Sequence, residues 1–312
     1  MLHKSYALDQ SPLYRMRSRK RLAADVFNID LSLLESLAAK GNNYRVFHIQ
    51  QGDKSRQVEV PKAIVERLHR RLFSLLERIE KPPYLHSGVK KRSYLTNARA
   101  HLGSGALVKL DLKKFYPSVK ADMVYRFFHG TLQCSPDVAG LLTKLCVHDG
   151  HVPTGSCLSQ LLAFFAVKPL FDEIESLART EGACFTVYVD DMTISGVRAS
   201  PALLWKVKQL VHSHGLKYHK DRFYPLGVRR VVTGVLIDGD RLAVQPSKEF
   251  AMWEQMQALG CGDKAERQAA LGRLIGSAVA ASQIEARFLE RVRALRGLQR
   301  RAAALVSTAT PV

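Results

Sequence analysis

The chain has 312 residues, enough for one large domain or two smaller ones, and a hydrophobic content of 46% supplies a sizeable core; a disordered basic protein is excluded. A formal charge of +19 suits a polyanionic partner, with nucleic acid the leading candidate. The cysteines show no CxxC pairing, no apolar run approaches membrane-spanning length and the start lacks an apolar signal core, which predicts reduced thiols in a cytoplasmic protein with no membrane partner.

Asp30-Leu31-Ser32 opens a short helix to about residue 39, capped by Asp30 or Ser32. Residues 44–49 and 55–60 alternate like strands and pair as a hairpin across Gly52-Asp53. Pro61 begins a long helix with Ile64, Leu68, Leu72, Leu75, Leu76 and Ile79 on one face and Arg67, Arg70 and Arg71 on the other. Lys90, Lys91 and Arg92 form a basic cluster that either meets phosphate or is merely solvated. Residues 172–178 and 201–214 read as helices flanking an acidic hairpin, and residues 248–301 as mostly helical. Helices mixed with an antiparallel sheet make this an α+β chain.

Chemistry concentrates in two stretches. Residues 185–195 place Asp190 and Asp191 at a tight turn between two β-branched, apolar runs. Like charges held close are tolerated mainly where a hard divalent cation offsets them, although a solvated acidic turn is the reading for such a pair taken alone. Upstream, the run Ala106-Leu107-Val108-Lys109-Leu110 ends in Asp111, and Phe115-Tyr116-Pro117 then breaks the pattern: a buried strand delivers one more acid at its exit. Three such carboxylates can clamp a pair of metal ions that activates a 3′-hydroxyl and neutralises a leaving pyrophosphate.

Tyr188-Val189-Asp190-Asp191 resembles the YxDD box of reverse transcriptases, and residues 111–116 resemble their first palm motif. Asn97-Ala98-Arg99-Ala100-His101 is similar to the NAxxH motif of the retron group, and Val232-Thr233-Gly234 to its VTG triplet, in the family's order around the acidic motifs. The resemblance covers about residues 22–234. It implies a right-hand polymerase fold with interleaved fingers and antiparallel-sheet palm over 1–240 and a helical, RNA-binding thumb over 241–312. By resemblance Asp111, Asp190 and Asp191 are catalytic, and Asp111, Leu112, Asp190 and Asp191 hold two Mg²⁺ ions.

Further roles follow from the same resemblance. Arg56 grips the nucleotide triphosphate with a fixed fork of donors, or is a surface arginine paired with Glu59. Tyr116 is the aromatic that excludes a ribose 2′-hydroxyl, or a packed core ring. Residues 152–160 look like the second palm motif, with Thr154 and Gly155 at the nucleotide and a helix beginning near Ser159; Thr154 stands where many relatives have Gln. Lys220 or His219 is a better proton donor to pyrophosphate than Arg222, which stays charged. Asn97, His101, Thr233, Arg287, Arg291, Arg293, Arg296 and Arg300 are the residues expected to meet RNA, Asn97 and His101 as local organisers of the fingers–palm junction rather than catalysts, and the arginines opposite Phe288, Leu289, Val292, Leu295 and Leu298.

The function so implied is a retron reverse transcriptase that uses dNTPs to copy its cognate structured non-coding RNA into a branched, RNA-linked DNA, beside a separate effector protein in anti-phage defence. Another bacterial reverse transcriptase and a catalytically inactive RNA-binding polymerase fold are the alternatives; three intact acids and Tyr116 disfavour the second.

Overall fold

The computed structural model describes residues 5–52, 54–103, 105–260 and 263–307, so Asp53 and Cys261 lie outside the described residues. The chain runs through α1 (Arg19–Arg21), α2 (Leu31–Ala39), β1 (Tyr44–Gln51), β2 (Lys54–Pro61), α3 (Ala63–Leu76), α4 (Tyr94–Arg99), β3 (Ala106–Leu112), α5 (Phe115–Ser118), α6 (Ala121–Arg126), α7 (Pro136–Cys146) and α8 (Ser159–Thr180). It continues through β4 (Cys184–Tyr188), β5 (Asp191–Gly196), α9 (Pro201–Ser213), β6 (Tyr218–Tyr224), β7 (Arg230–Val232), β8 (Val235–Asp238), β9 (Arg241–Ala243), α10 (Pro246–Ala258), α11 (Lys264–Ser282) and α12 (Phe288–Ser307). Two compact units result: Met1–Lys91 with Val108–Phe223, and Arg92–Leu107 with Tyr224–Val312.

In the first unit the sheet has the order β4-β5-β3-β6. Phe185, Val187, Met192 and Ile194 are buried, as are Thr186 and Thr193 on the other side of the hairpin. Burial on both faces is why residues 184–196 read as near-continuous apolar runs. On β3 the period of two places Val108, Leu110 and Leu112 in the core and leaves Lys109 and Asp111 half-buried on the opposite face. Helix α3 begins after Pro61, not at it, and buries Val65, Leu68, His69, Leu72, Leu75 and Leu76. Ile64, expected on the buried face, is 45% exposed. Helix α8 starts at Ser159, as the second palm motif implies, and runs unbroken through Pro169 to Thr180, so the segment expected over 172–178 is its C-terminal part. Proline removes a helical hydrogen bond, but burial of Phe164, Phe165, Leu170, Phe171 and Ile174 offsets that loss.

The second unit contains the antiparallel sheet β7-β8-β9 and helices α4, α10, α11 and α12. Ala98, Leu107, Tyr224, Val232, Val235 and Ile237 form one small core, and Leu274, Phe288, Val292 and Leu295 belong to another. A capping box of Ser93 and Thr96 starts α4, and one of Asp263 and Glu266 starts α11. On α12, Leu289 and Leu298 are 45% and 48% exposed, so the apolar face is narrower than its spacing predicts.

Candidate active site

Strands β4 and β5 pair so that Tyr188 faces Asp191, leaving Val189 and Asp190 as a two-residue turn. Val189 has φ +61, a left-handed conformation that a β-branched residue adopts only at a cost of about 1–3 kcal/mol. Two bonds from distant segments hold it there. The Val189 amide donates to Ser87 Oγ at 2.9 Å, and the Leu112 amide donates to the Asp190 carbonyl at 3.1 Å. The second bond fixes the acidic turn directly against β3, next to Asp111.

The acids are electrostatically loaded. Burial, then the charges of Asp111 and Asp191, push the Asp190 carboxyl up to about 6. Burial also raises Asp191, against the opposing pull of Lys109, whose Nζ lies 2.7 Å from Asp191 Oδ2. Asp111 Oδ1 and Asp191 Oδ1 are buried without a hydrogen-bond partner, and His219 Nδ1 lies 3.6 Å from Asp111 Oδ1. Among the described residues no three His, Cys, Asp or Glu side chains are gathered in metal-holding geometry. Nevertheless, orphaned, desolvated carboxylate oxygens fit a hard cation, which takes oxygen ligands and completes its sphere with water and phosphate. The hydrocarbon side chain of Leu112 packs in the core and has no ligating atom, so the carbonyl is the ligand it offers.

Tyr116 is half-buried, raised by burial and then by the Asp190 charge, and lowered by the charge of Arg56. Both neighbours agree with a ring beside the acids and within reach of Arg56. Glu59 is not the partner of Arg56: three residues apart on β2, the two point to opposite faces. Glu59 instead bonds the loop carrying Thr154 and Gly155. That loop packs directly on the hairpin. A Cβ on Gly155 would lie 2.7 Å from the Glu59 carbonyl, so this glycine serves a close approach of β2. Thr154 Oγ1 donates to the Gln57 carbonyl, again toward the hairpin. Lys220, on edge strand β6, lowers the Asp191 carboxyl. Lys109 escaped the sequence reading, although it stands two residues before Asp111 on the same strand face, a spacing that could have found it.

In the second unit, Asn97 and His101 are fully buried, so neither side chain is presented to RNA. Both amide atoms of Asn97 lack a partner. Thr233 and Gly234 form the β7–β8 turn, both with positive φ as a type I′ turn requires, and Thr233 Oγ1 donates to the Tyr94 carbonyl at 2.8 Å. The NAxxH helix and the VTG turn are therefore one packed element. Arg230, also missed, is buried and donates to the carbonyls of His101 and Gly105 at 2.9 and 2.6 Å and to that of Gly103. Arg287 is engaged with Glu249 and Glu285 at 2.5 and 2.6 Å and lies over the Phe288 ring, which removes it from the free basic face. Arg291 also lies over that ring, at 5.7 Å, whereas Arg293, Arg296 and Arg300 are exposed.

Comparisons with known proteins agree with this geometry. The chain is 32% identical over 178 residues to the retron Se72 reverse transcriptase of Salmonella heidelberg, covering 54% of this chain and 46% of that protein. It is 28% identical over 203 residues to the retron Ec86 reverse transcriptase of Escherichia coli, covering 62% of each, and 30% identical over 206 residues to the retron Mx65 reverse transcriptase of Myxococcus xanthus, covering 59% and 48%. The chain thus spans about half the length of the curated relatives it matches. No family model matches. Apo telomerase from Candida tropicalis superposes with a TM-score of 0.51 at 12% identity, over 85% of this chain and 57% of that one. The fold is the right-hand polymerase fold of reverse transcriptases, and the sequence is related to the retron type.

Proposed function

We propose that this chain is a retron-type RNA-directed DNA polymerase that copies its cognate structured non-coding RNA into a short DNA joined to that RNA. The observation that supports it most is the meeting of Asp111, Asp190 and Asp191 at one sheet, with buried carboxylate oxygens left unpartnered. A primer hydroxyl oxygen bonds to the α-phosphorus of a dNTP, the bond to the β-phosphate oxygen breaks, and pyrophosphate leaves. Asp111, Asp190, Asp191 and the Leu112 carbonyl are the residues that would hold two Mg²⁺ ions, whose chemistry is to activate the hydroxyl and offset the charge of pyrophosphate. Arg56 binds the triphosphate, Tyr116 walls the sugar, and Lys220 or His219 supplies a proton to the leaving group. The same reading places the protein in the cytoplasm, with fingers and palm over 1–240, the RNA-binding thumb over 241–312 and a separate effector in anti-phage defence; among the described residues no helix is long and apolar enough to cross a membrane.

Expression with several hundred flanking bases tests this reading: DNA covalently joined to RNA is expected in nucleic acid extracted from the purified protein. RNA alone, with no extension of a primed template, would sink it. Tyr116→Ala is expected to raise ribonucleotide incorporation about 10–100-fold by removing a steric wall, checked by single-nucleotide extension with dNTP and rNTP. Unchanged sugar discrimination would make Tyr116 only a packing residue. Replacing Arg293, Arg296 and Arg300 together with Gln is expected to weaken RNA binding and lower the log–log salt slope by about 2–3, read from titrations at several salt concentrations. An unaltered slope would mean that this face is simply solvated.

A further inference from the structure

Glu59 is 2% exposed, and a buried carboxylate is costly unless its oxygens are satisfied. Here Oε2 accepts from the Thr154 amide at 3.2 Å, while Oε1 accepts from Gln57 Nε2 at 3.0 Å and lies 3.2 Å from His151 Nε2. The main chain repeats the link. The Glu59 amide donates to Thr154 Oγ1 at 3.2 Å, and the Gly155 amide donates to the Glu59 carbonyl at 3.0 Å. The next loop residue is fixed from α3: His69 Nε2 lies 2.8 Å from the Leu145 carbonyl, which can only accept, so that nitrogen carries the proton. Burial lowers the His69 pKa and keeps the ring neutral, so Nδ1 accepts from Ser156 Oγ at 2.6 Å.

We infer that Glu59 is a positioning residue, the joint that locks hairpin β1–β2 to the loop at residues 153–156 and so sets where Arg56 stands. This rests on the polymerase reading above. Beyond the joint, residues 45–50 and 55–57 are exposed, so the hairpin projects from one anchored end. Arg56 is three residues from Glu59 and one from Gln57, whose carbonyl also accepts from Thr154 Oγ1, so the lever beyond the last bonded residue is about 3 Å at strand rise. Any slack at Glu59 is passed along that lever to the guanidinium, and a misplacement of about 1 Å can cost 10²-fold in a catalytic constellation. The same carboxylate holds Thr154, so the arginine and the loop move together or not at all.

The test compares full-length wild type, Glu59→Ala and Glu59→Gln. Glu59→Ala is expected to raise the KM for dNTP about tenfold, with a much smaller change in kcat, because ground-state positioning is what is lost. Glu59→Gln retains one acceptor oxygen and is expected to fall between; as an isostere it carries the test if the alanine variant does not fold. Amide hydrogen exchange supplies a readout without activity: faster exchange at Thr154 and Gly155 is expected in Glu59→Gln. A well-folded variant with unchanged KM and unchanged exchange overturns the joint. Wild type that extends no primer overturns the polymerase reading instead, and exchange then decides the joint alone.

Discussion

Asp190→Asn is expected to lower DNA synthesis about 10³-fold or more, the loss that follows from removing several kcal/mol of transition-state charge stabilisation. Asn matches Asp in shape, so the β4–β5 turn should persist. Asp190 is raised to about 6 because burial and two neighbouring carboxylates disfavour its charge. Neutralising it relieves that repulsion, and the variant should melt no lower than wild type. RNA affinity should be unchanged, since the exposed arginines of α12 lie in the other compact unit. Primer extension, RNA titration and thermal melting together check the three expectations. Loss of RNA binding along with synthesis would refute the division of labour.

Lys109→Met is expected to act in the opposite sense on stability. Met keeps the length of the side chain but removes the charge 2.7 Å from Asp191 Oδ2. A carboxylate that burial already disfavours then stands without its counter-ion, at a cost of about 1–3 kcal/mol. Asp191 is raised in the folded state, so its charge opposes folding above that pKa, and losing Lys109 raises it further. The deficit should therefore be full at neutral pH and shrink as the pH falls into the range where Asp191 protonates. Chemical denaturation at several pH values checks this; a deficit that grows on acidification would assign Lys109 another role. Activity should fall as well, because Asp191 loses the contact that orients it.

Much of the active site can be read from the chain because strands announce themselves with a period of two. Asp111 at the end of a buried run and two acids between β-branched runs were legible for that reason, and Lys109 would have been by the same rule. Val189 is different. Nothing in a β-branched residue signals a left-handed turn; its conformation is imposed by Ser87, 102 residues away, and by Leu112 through the neighbouring carbonyl of Asp190. Glu59 likewise takes His151 and Thr154 as partners, beyond the reach of local pattern. The start of α8 near Ser159 and its last turns were both legible, but Pro169 hid that they belong to one helix, because burial of aromatic side chains there outweighs a local breaker. The frame of α3 slipped because Ile64 and Val65 are equally apolar, and only packing selects between them. The motif marks Asn97 and His101 as organisers without showing which way they face; both are buried, Asn97 on α4 and His101 two residues past its end.

The second unit is assembled from two stretches of chain separated by Val108–Phe223. On a ribosome this imposes a wait. Ala98 and Leu107 leave the tunnel early, but their apolar neighbours Val232, Val235 and Ile237 follow only after the whole intervening stretch has been made. At about 5–20 residues per second that delay is roughly ten seconds, long compared with the folding of a small helical segment. During it the nascent segment of residues 92–107 carries uncovered apolar side chains, a natural target for a chaperone. Translation halted soon after residue 223 would leave the first unit with its own strands in place and the short stretch 92–107 of the second without Val232, Val235 and Ile237 to pack against.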